Sequence, residues 1–261
     1  MKVKANGVYF NCRVEGASGA PWLILSNSLS SNLSMWEPQV PVLSQRFRIL
    51  RYDQRGHGSS TATEGDYSFD LLSDDVIALM NALNIEHCHF IGLSMGGMTA
   101  IPLALNHTDR FNSIIISNSR ADMNEDFRRS FDERINLAFS KGMEPLVEPT
   151  IGRWFTKNSI KRRLPVIDKA REMIRTTSVT GYVGCARAVQ KIDYLSKLSE
   201  ISMPVLLISG SEDIATPPES MRLMHKEITD SRYYEISAAG HLSNLEQPQM
   251  FNAEVIKFLQ I

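Results

Sequence analysis

The chain is poor in cysteine. Cys12, Cys88 and Cys185 are odd in number, widely spaced and without a C-x-x-C pair, which excludes a disulfide framework and a cysteine zinc site. It also lacks an excess of either charge. The 28 Lys and Arg against 29 Asp and Glu leave a formal net charge of −1, so neither nucleic acid nor an anionic membrane surface is an expected partner. No apolar run reaches a membrane-spanning length. The opening Met1-Lys2-Val3-Lys4-Ala5-Asn6-Gly7 has no apolar signal core, and the expected location is cytoplasmic. Internal repeats and low-complexity tracts are missing too. What remains is an ordinary globular composition, 43 % hydrophobic over 261 residues. That suits one α/β domain, a class that often runs to roughly 200–250 residues as a unit.

The most informative stretch is His89-Phe90-Ile91-Gly92-Leu93-Ser94-Met95-Gly96-Gly97. It reads as a buried strand that turns through a serine between glycines into a helix, the G-x-S-x-G pattern that exposes a serine oxygen above a sheet edge. Side chains at Gly92 or Gly96 would crowd the turn. Met95 opens the helix, so its backbone N–H is free to face a developing oxyanion. In this pattern an acid and then a histidine follow the serine along the chain. Val205–Gly210 is an apolar run ending in Ser211-Glu212-Asp213, and Tyr233–Ile236 is a short strand before Ala239-Gly240-His241. Asp213 and His241 therefore leave the same sheet edge as Ser94. A serine needs a histidine to take its proton, and the imidazole needs a carboxylate to hold its tautomer. Alone, Asp213 would be a cap before the helix announced by Pro217-Pro218, and His241 a surface residue; Glu212 is the competing acid, expected to be solvated. A second oxyanion donor is expected from the loop after Trp22–Ser26. There Asn27-Ser28 precedes Leu29, whose backbone N–H would join that of Met95; the alternative is an ordinary polar turn.

Strands and helices alternate along the rest of the chain. Asn6-Gly7 marks a hairpin between Lys2–Lys4 and Val8–Val14. Phe47–Tyr52 and Ser113–Ser117 read as strands, and Leu71, Leu72, Val76, Leu79, Met80 and Leu83 as the apolar face of a helix. This alternation predicts a mostly parallel sheet covered on both faces. His57, in a glycine-rich loop, is expected to be structural. From Asp122 to Leu198 the alternation stops and charged helix formers dominate. The expected organisation is a core of residues 1–121 and 199–261 with a helical cap at 122–198, lying over the site as a lid. Trp154 would line the pocket or serve as cap core, and the basic clusters of the cap are expected on solvated faces.

With these residues placed, the chain resembles α/β-hydrolase-fold enzymes, and within them is similar to the 3-oxoadipate enol-lactonases. The matching residues are Leu25–Leu29, Met35-Trp36, Leu50–Gly58, Gly92–Met98, Arg153–Thr156, Gly181-Tyr182 with Cys185, and Gly240–Glu246, so the likeness spans nearly the whole chain. It implies the α/β-hydrolase fold with an inserted helical cap, and hydrolysis of a small lactone or ester. It places nucleophile, acid and base at Ser94, Asp213 and His241, and implies no metal or organic cofactor. The family's enol-lactone carries a carboxylate, so a cationic partner is expected: Arg153 first, beside Trp154, then Arg120, with Arg187 a further candidate. Departures lie at Ser30, where the family has glycine, at Asn118–Asp122, which lacks the usual small residues, and at Arg187 and Lys191. The alternative activities are a carboxylesterase or an acyl-homoserine lactonase with the same triad. A third reading is a hormone-receptor-like binding protein with slow turnover.

Overall fold

In the computed structural model, which describes residues 1–259, Asn6 and Gly7 take φ of 42° and 77°. They turn β1 (Lys2–Ala5) back onto β2 (Val8–Glu15), with Ala5 opposite Val8. Two left-handed residues match the twist of an antiparallel pair, and Asn-Gly adopts them at low cost. Six further strands follow: β3 (Trp22–Ser26), β4 (Arg48–Tyr52), β5 (Cys88–Leu93), β6 (Phe111–Ser117), β7 (Val205–Gly210) and β8 (Ser231–Ile236). One eight-stranded sheet results, in the order β1-β2-β4-β3-β5-β6-β7-β8. It is antiparallel across β1, β2 and β4 and parallel from β4 to β8. Every residue of β7 is buried, as expected of a parallel strand covered on both faces, which is why it reads as an unbroken apolar run.

Helices cover that sheet. They are α1 (Val40–Leu43), α2 (Phe69–Ala82) and α3 (Met95–Asn106) before β6, then α4 (Glu125–Lys141), α5 (Val147–Trp154), α6 (Lys157–Lys161), α7 (Pro165–Arg175) and α8 (Val179–Gln190) between β6 and β7. The chain closes with α9 (Pro218–Glu227), α10 (Ser243–Glu246) and α11 (Pro248–Leu259). Ser68 caps α2 by accepting from the Leu71 N–H at 3.1 Å, and Leu72, Val76, Leu79 and Met80 turn inward. Asp75 joins that buried face because Arg55 meets it, Nε to Oδ2 at 2.9 Å and Nη2 to Oδ1 at 2.5 Å. A forked pair of this kind makes a buried carboxylate tolerable.

The helices between β6 and β7 return to the sheet through a narrow neck. Asp122 and Asp193 form an isolated bridge, and the Tyr194 N–H donates to the Ala121 carbonyl at 2.8 Å. A second point of attachment needs two glycines. A Cβ on Gly56, whose φ is +74°, would lie 2.3 Å from the Cα of Gly181, so α8 seats directly on the loop after β4. Among the described residues no helix is long and apolar enough to cross a membrane, and the three cysteines are buried and unpaired.

Candidate active site

Ser94 sits between β5 and α3 with φ 57° and ψ −113°, a left-handed conformation that costs a non-glycine residue free energy and is kept only where the surroundings enforce it. They do so here. Ser94 N–H donates to the Ser117 carbonyl at 2.8 Å, Gly96 N–H to the Asn27 carbonyl at 2.9 Å, and Ser119 Oγ to the Ser94 carbonyl at 2.9 Å. A Cβ at Gly92 would fall 2.1 Å from the Gly96 carbonyl oxygen, and one at Gly96 2.3 Å from that of Ser26. The Ser94 hydroxyl makes no capping bond to α3 and lines a cavity under α4 and α5.

Asp213 and His241 meet beside it. His241 Nδ1 and Asp213 Oδ2 are 2.9 Å apart, and both side chains are almost fully buried. Asp213 is an acceptor on every side: Oδ1 takes the N–H groups of Ala215 (2.8 Å) and Thr216 (3.0 Å), and Oδ2 takes Thr216 Oγ1 (2.8 Å) and Asn118 Nδ2 (3.0 Å). Burial would raise the carboxyl pKa. The His241 charge and these hydrogen bonds outweigh it and hold Asp213 below the usual carboxylate range. An ionised acceptor fixes the imidazole proton on Nδ1 and leaves the Nε2 lone pair for the cavity, which His241 lines. Glu212, the competing acid, is exposed. Asn118 and Thr216 carry no signal in the sequence as partners of Asp213; only the return of β7 alongside β6 brings Asn118 there. The loop of His241 is pinned by the buried Glu246, whose carboxylate accepts from Gly240 N–H at 2.6 Å and Thr156 N–H at 3.0 Å.

Leu29 and Met95 both line the cavity. Their neighbours' amides are occupied. Ser28 N–H points to Met35 Sδ (3.4 Å) and Ser30 N–H to His57 Nε2 (3.0 Å), while those of Ser94 and Gly96 are bonded as above. The N–H groups of Leu29 and Met95 are left without a partner among the described residues. The loop itself is held by two residues after β4, Gln54 Nε2 donating to the Asn27 carbonyl (3.0 Å) and Asp53 Oδ1 accepting from Leu33 N–H (2.7 Å), and by Trp36, whose Nε1 donates to Asn27 Oδ1 (3.0 Å).

Of the proposed cations, Arg120 and Arg153 line the cavity with Trp154; Arg187 does not. It bonds Asp132 Oδ1 and Gln190 Oε1, both at 2.8 Å, and Lys191 pairs with Asp66 at 2.8 Å, so two of the departures from the family face away from the pocket. The basic clusters of this segment need one correction. Arg129, Lys161, Arg162 and Arg163 are exposed as expected, but Arg134 turns into the cavity, its guanidinium 3.7 Å from the Phe131 ring centre. Its signal was the spacing Phe127, Phe131, Arg134, one face of α4. Burial lowers the Arg134 pKa, and burial followed by the Arg134 charge brings that of Arg153 to about 10. No group of three or more His, Cys, Asp or Glu among the described residues is placed to hold a metal ion.

The chain as a whole is similar to known proteins. A family model described as alpha/beta hydrolase fold matches residues 21–248. The 3-oxoadipate enol-lactonase 2 of Acinetobacter baylyi is 36 % identical over 251 residues, which cover 96 % of this chain and 93 % of that protein. Among solved structures, the enol-lactonase from Burkholderia xenovorans superposes with a TM-score of 0.96 at 37 % identity, with 100 % of each chain covered. A thermophilic esterase from Thermogutta terrifontis superposes with a TM-score of 0.92 at 26 % identity, over 100 % of this chain and 97 % of that one. A match running from the third strand to the last helix, on a sheet of this order, places the chain in the α/β-hydrolase-fold family.

Proposed function

We propose that this α/β-hydrolase cleaves a small carboxylate-bearing lactone through an acyl-enzyme on Ser94, with 3-oxoadipate enol-lactone as the first substrate to test. The observation that carries the reading is the Asp213–His241 bond beside a strained serine in a cavity walled by arginines. The Ser94 oxygen attacks the lactone carbonyl while His241 Nε2 takes its proton, and the imidazolium is stabilised by Asp213. The carbonyl oxygen, now charged, is received by the free N–H groups of Leu29 and Met95. Collapse breaks the ring C–O bond, and His241 returns its proton to the departing oxygen. Water then attacks the acyl-enzyme with His241 again as base, which releases the acid and restores Ser94.

The substrate carboxylate is received by Arg153 together with Arg134. Arg153 Nη2 is bonded to Thr150 Oγ1 at 2.8 Å and Arg134 Nε to the Ser130 carbonyl at 3.1 Å, so both forks are oriented before a ligand arrives. An anion between them offsets their mutual repulsion in a partly dry space, where charge-assisted bonds are strong. Residues 122–198, with Trp154 against the cavity, act as the lid that excludes water. The test compares 3-oxoadipate enol-lactone with a neutral ester of similar size. A strong preference for the charged lactone is expected, and Arg153→Gln should raise its KM while leaving that of the neutral ester nearly alone. Equal efficiency on both, or a preference for long-chain acyl-homoserine lactones, overturns the substrate and leaves the chemistry standing.

A further inference from the structure

The cavity wall bears three arginines and, among the described residues, no aspartate or glutamate. One carboxylate answers the Arg134–Arg153 pair. Arg120 stands apart from them: it leaves the end of β6, and its guanidinium lies 4.4 Å from the ring centre of Phe127. Its Nε donates to the Asp122 carbonyl at 2.5 Å, but its Nη2 reaches the half-exposed Asp122 carboxylate only at 3.9 Å. Nη1 is buried with no partner at all, on a residue only 5 % exposed. Leaving a charged donor unsatisfied in the interior is costly, and native structures rarely do it. A guanidinium fork is shaped for a carboxylate. With a single carboxylate on the Arg134–Arg153 pair, Arg120 keeps only the Asp122 carboxylate, 3.9 Å away, as a counter-charge.

We infer that Arg120 is a second, separate anion-binding point, and that the preferred ester or lactone carries two acidic groups, one for the Arg134–Arg153 pair and one for Arg120. The inference rests on the hydrolase reading for the word substrate, though not for the anion sites themselves, and it places the preferred substrate one acidic group beyond 3-oxoadipate enol-lactone, whose single carboxylate would occupy the Arg134–Arg153 pair and leave Arg120 unanswered. Arg120 thereby determines specificity without touching the reacting atoms.

The test uses linear dicarboxylates, from succinate to pimelate, and monocarboxylates of equal chain length as competitive inhibitors of p-nitrophenyl acetate turnover. The quantity read is the ratio of mono- to dicarboxylate Ki, which does not depend on the fraction of active protein. For the wild-type chain the best-fitting length should give a ratio on the order of tenfold or more. Arg120→Gln should bring it close to one, Arg120→Lys should keep part of it, and Arg153→Gln should weaken monocarboxylates as well. A wild-type ratio near one at every length overturns the inference, as does a ratio that survives in both Arg120→Gln and Arg120→Met. Should neither p-nitrophenyl acetate nor 3-oxoadipate enol-lactone be turned over, the hydrolase reading fails by itself. The same ratio is then read as calorimetric Kd values and still decides the fate of Arg120.

Discussion

Ser30 donates its backbone N–H to Nε2 of His57 at 3.0 Å, while His57 Nδ1 lies 3.1 Å from the Arg55 carbonyl. An amide can only donate and a carbonyl only accept, so His57 is held neutral with its proton on Nδ1. Ser30 has φ of 64° and follows Leu29. A histidine expected to be structural is therefore structural for the loop that carries a proposed oxyanion donor.

The His57 pKa is lowered, by burial above all. Unfolded imidazole titrates near about 6.5, so this depressed group contributes stability in full above that value and loses it as the pH falls toward the folded pKa. His57→Leu should leave the Ser30 amide unpaired and cost about 1–3 kcal/mol, together with a lower kcat. Urea unfolding of wild type and variant at several pH values checks this: the wild type should lose more stability on acidification. Parallel curves would refute it.

Ser94→Ala should lose turnover by a factor on the order of 10⁴ or more, and a serine-directed phosphonate should label Ser94 alone. The tryptic map of the labelled protein is the direct check. A variant that keeps a tenth of the activity would show that another group attacks.

Asp213→Asn should cut kcat by roughly 10³–10⁴ with the fold intact, because the amide favours the wrong imidazole tautomer. Glu212→Gln should be almost silent. The carboxyl pKa of Asp213 is held low, so its contribution to stability is present above the unfolded value of about 3.9 and disappears as the pH falls through the folded one. Acid unfolding midpoints of wild type and Asp213→Asn should converge at the acid end, and steady-state kinetics with both variants will show which carboxylate matters.

Gly96→Ala should destabilise the protein by about 3 kcal/mol or more, since the new methyl meets the backbone of β3 rather than a movable side chain. Gly152→Ala, in α5 with nothing within 4 Å of the added atom, should instead stabilise by about 0.5–1 kcal/mol. Thermal melts of the pair distinguish steric exclusion from a general intolerance of alanine for glycine.

The features legible from the residues alone are those set by near neighbours in the chain. Asn6-Gly7 makes its hairpin because left-handed backbone is cheap for those two residues. The run before Gly92 makes a doubly covered strand, and the apolar spacing of α2 makes a helix with one inner face. Asp213 and His241 could be placed at one sheet edge because each follows a strand of a parallel sheet, and such strands end on the same side. The rest required packing. The spacing on α4 marks Phe131 and Arg134 as one face, but nothing within the helix says that this face meets a cavity while Arg187 on α8 meets Asp132 of α4 instead. Asn118 reaches Asp213 across 95 positions of chain, Gly56 touches Gly181, and His57 accepts from Ser30. The first follows from β7 pairing beside β6, the second from how α8 settles on the loop after β4, and the third from the packing of the loops after β3 and β4 on each other. That arrangement is a balance of many small burial terms spread over distant residues, and no short stretch of sequence records it.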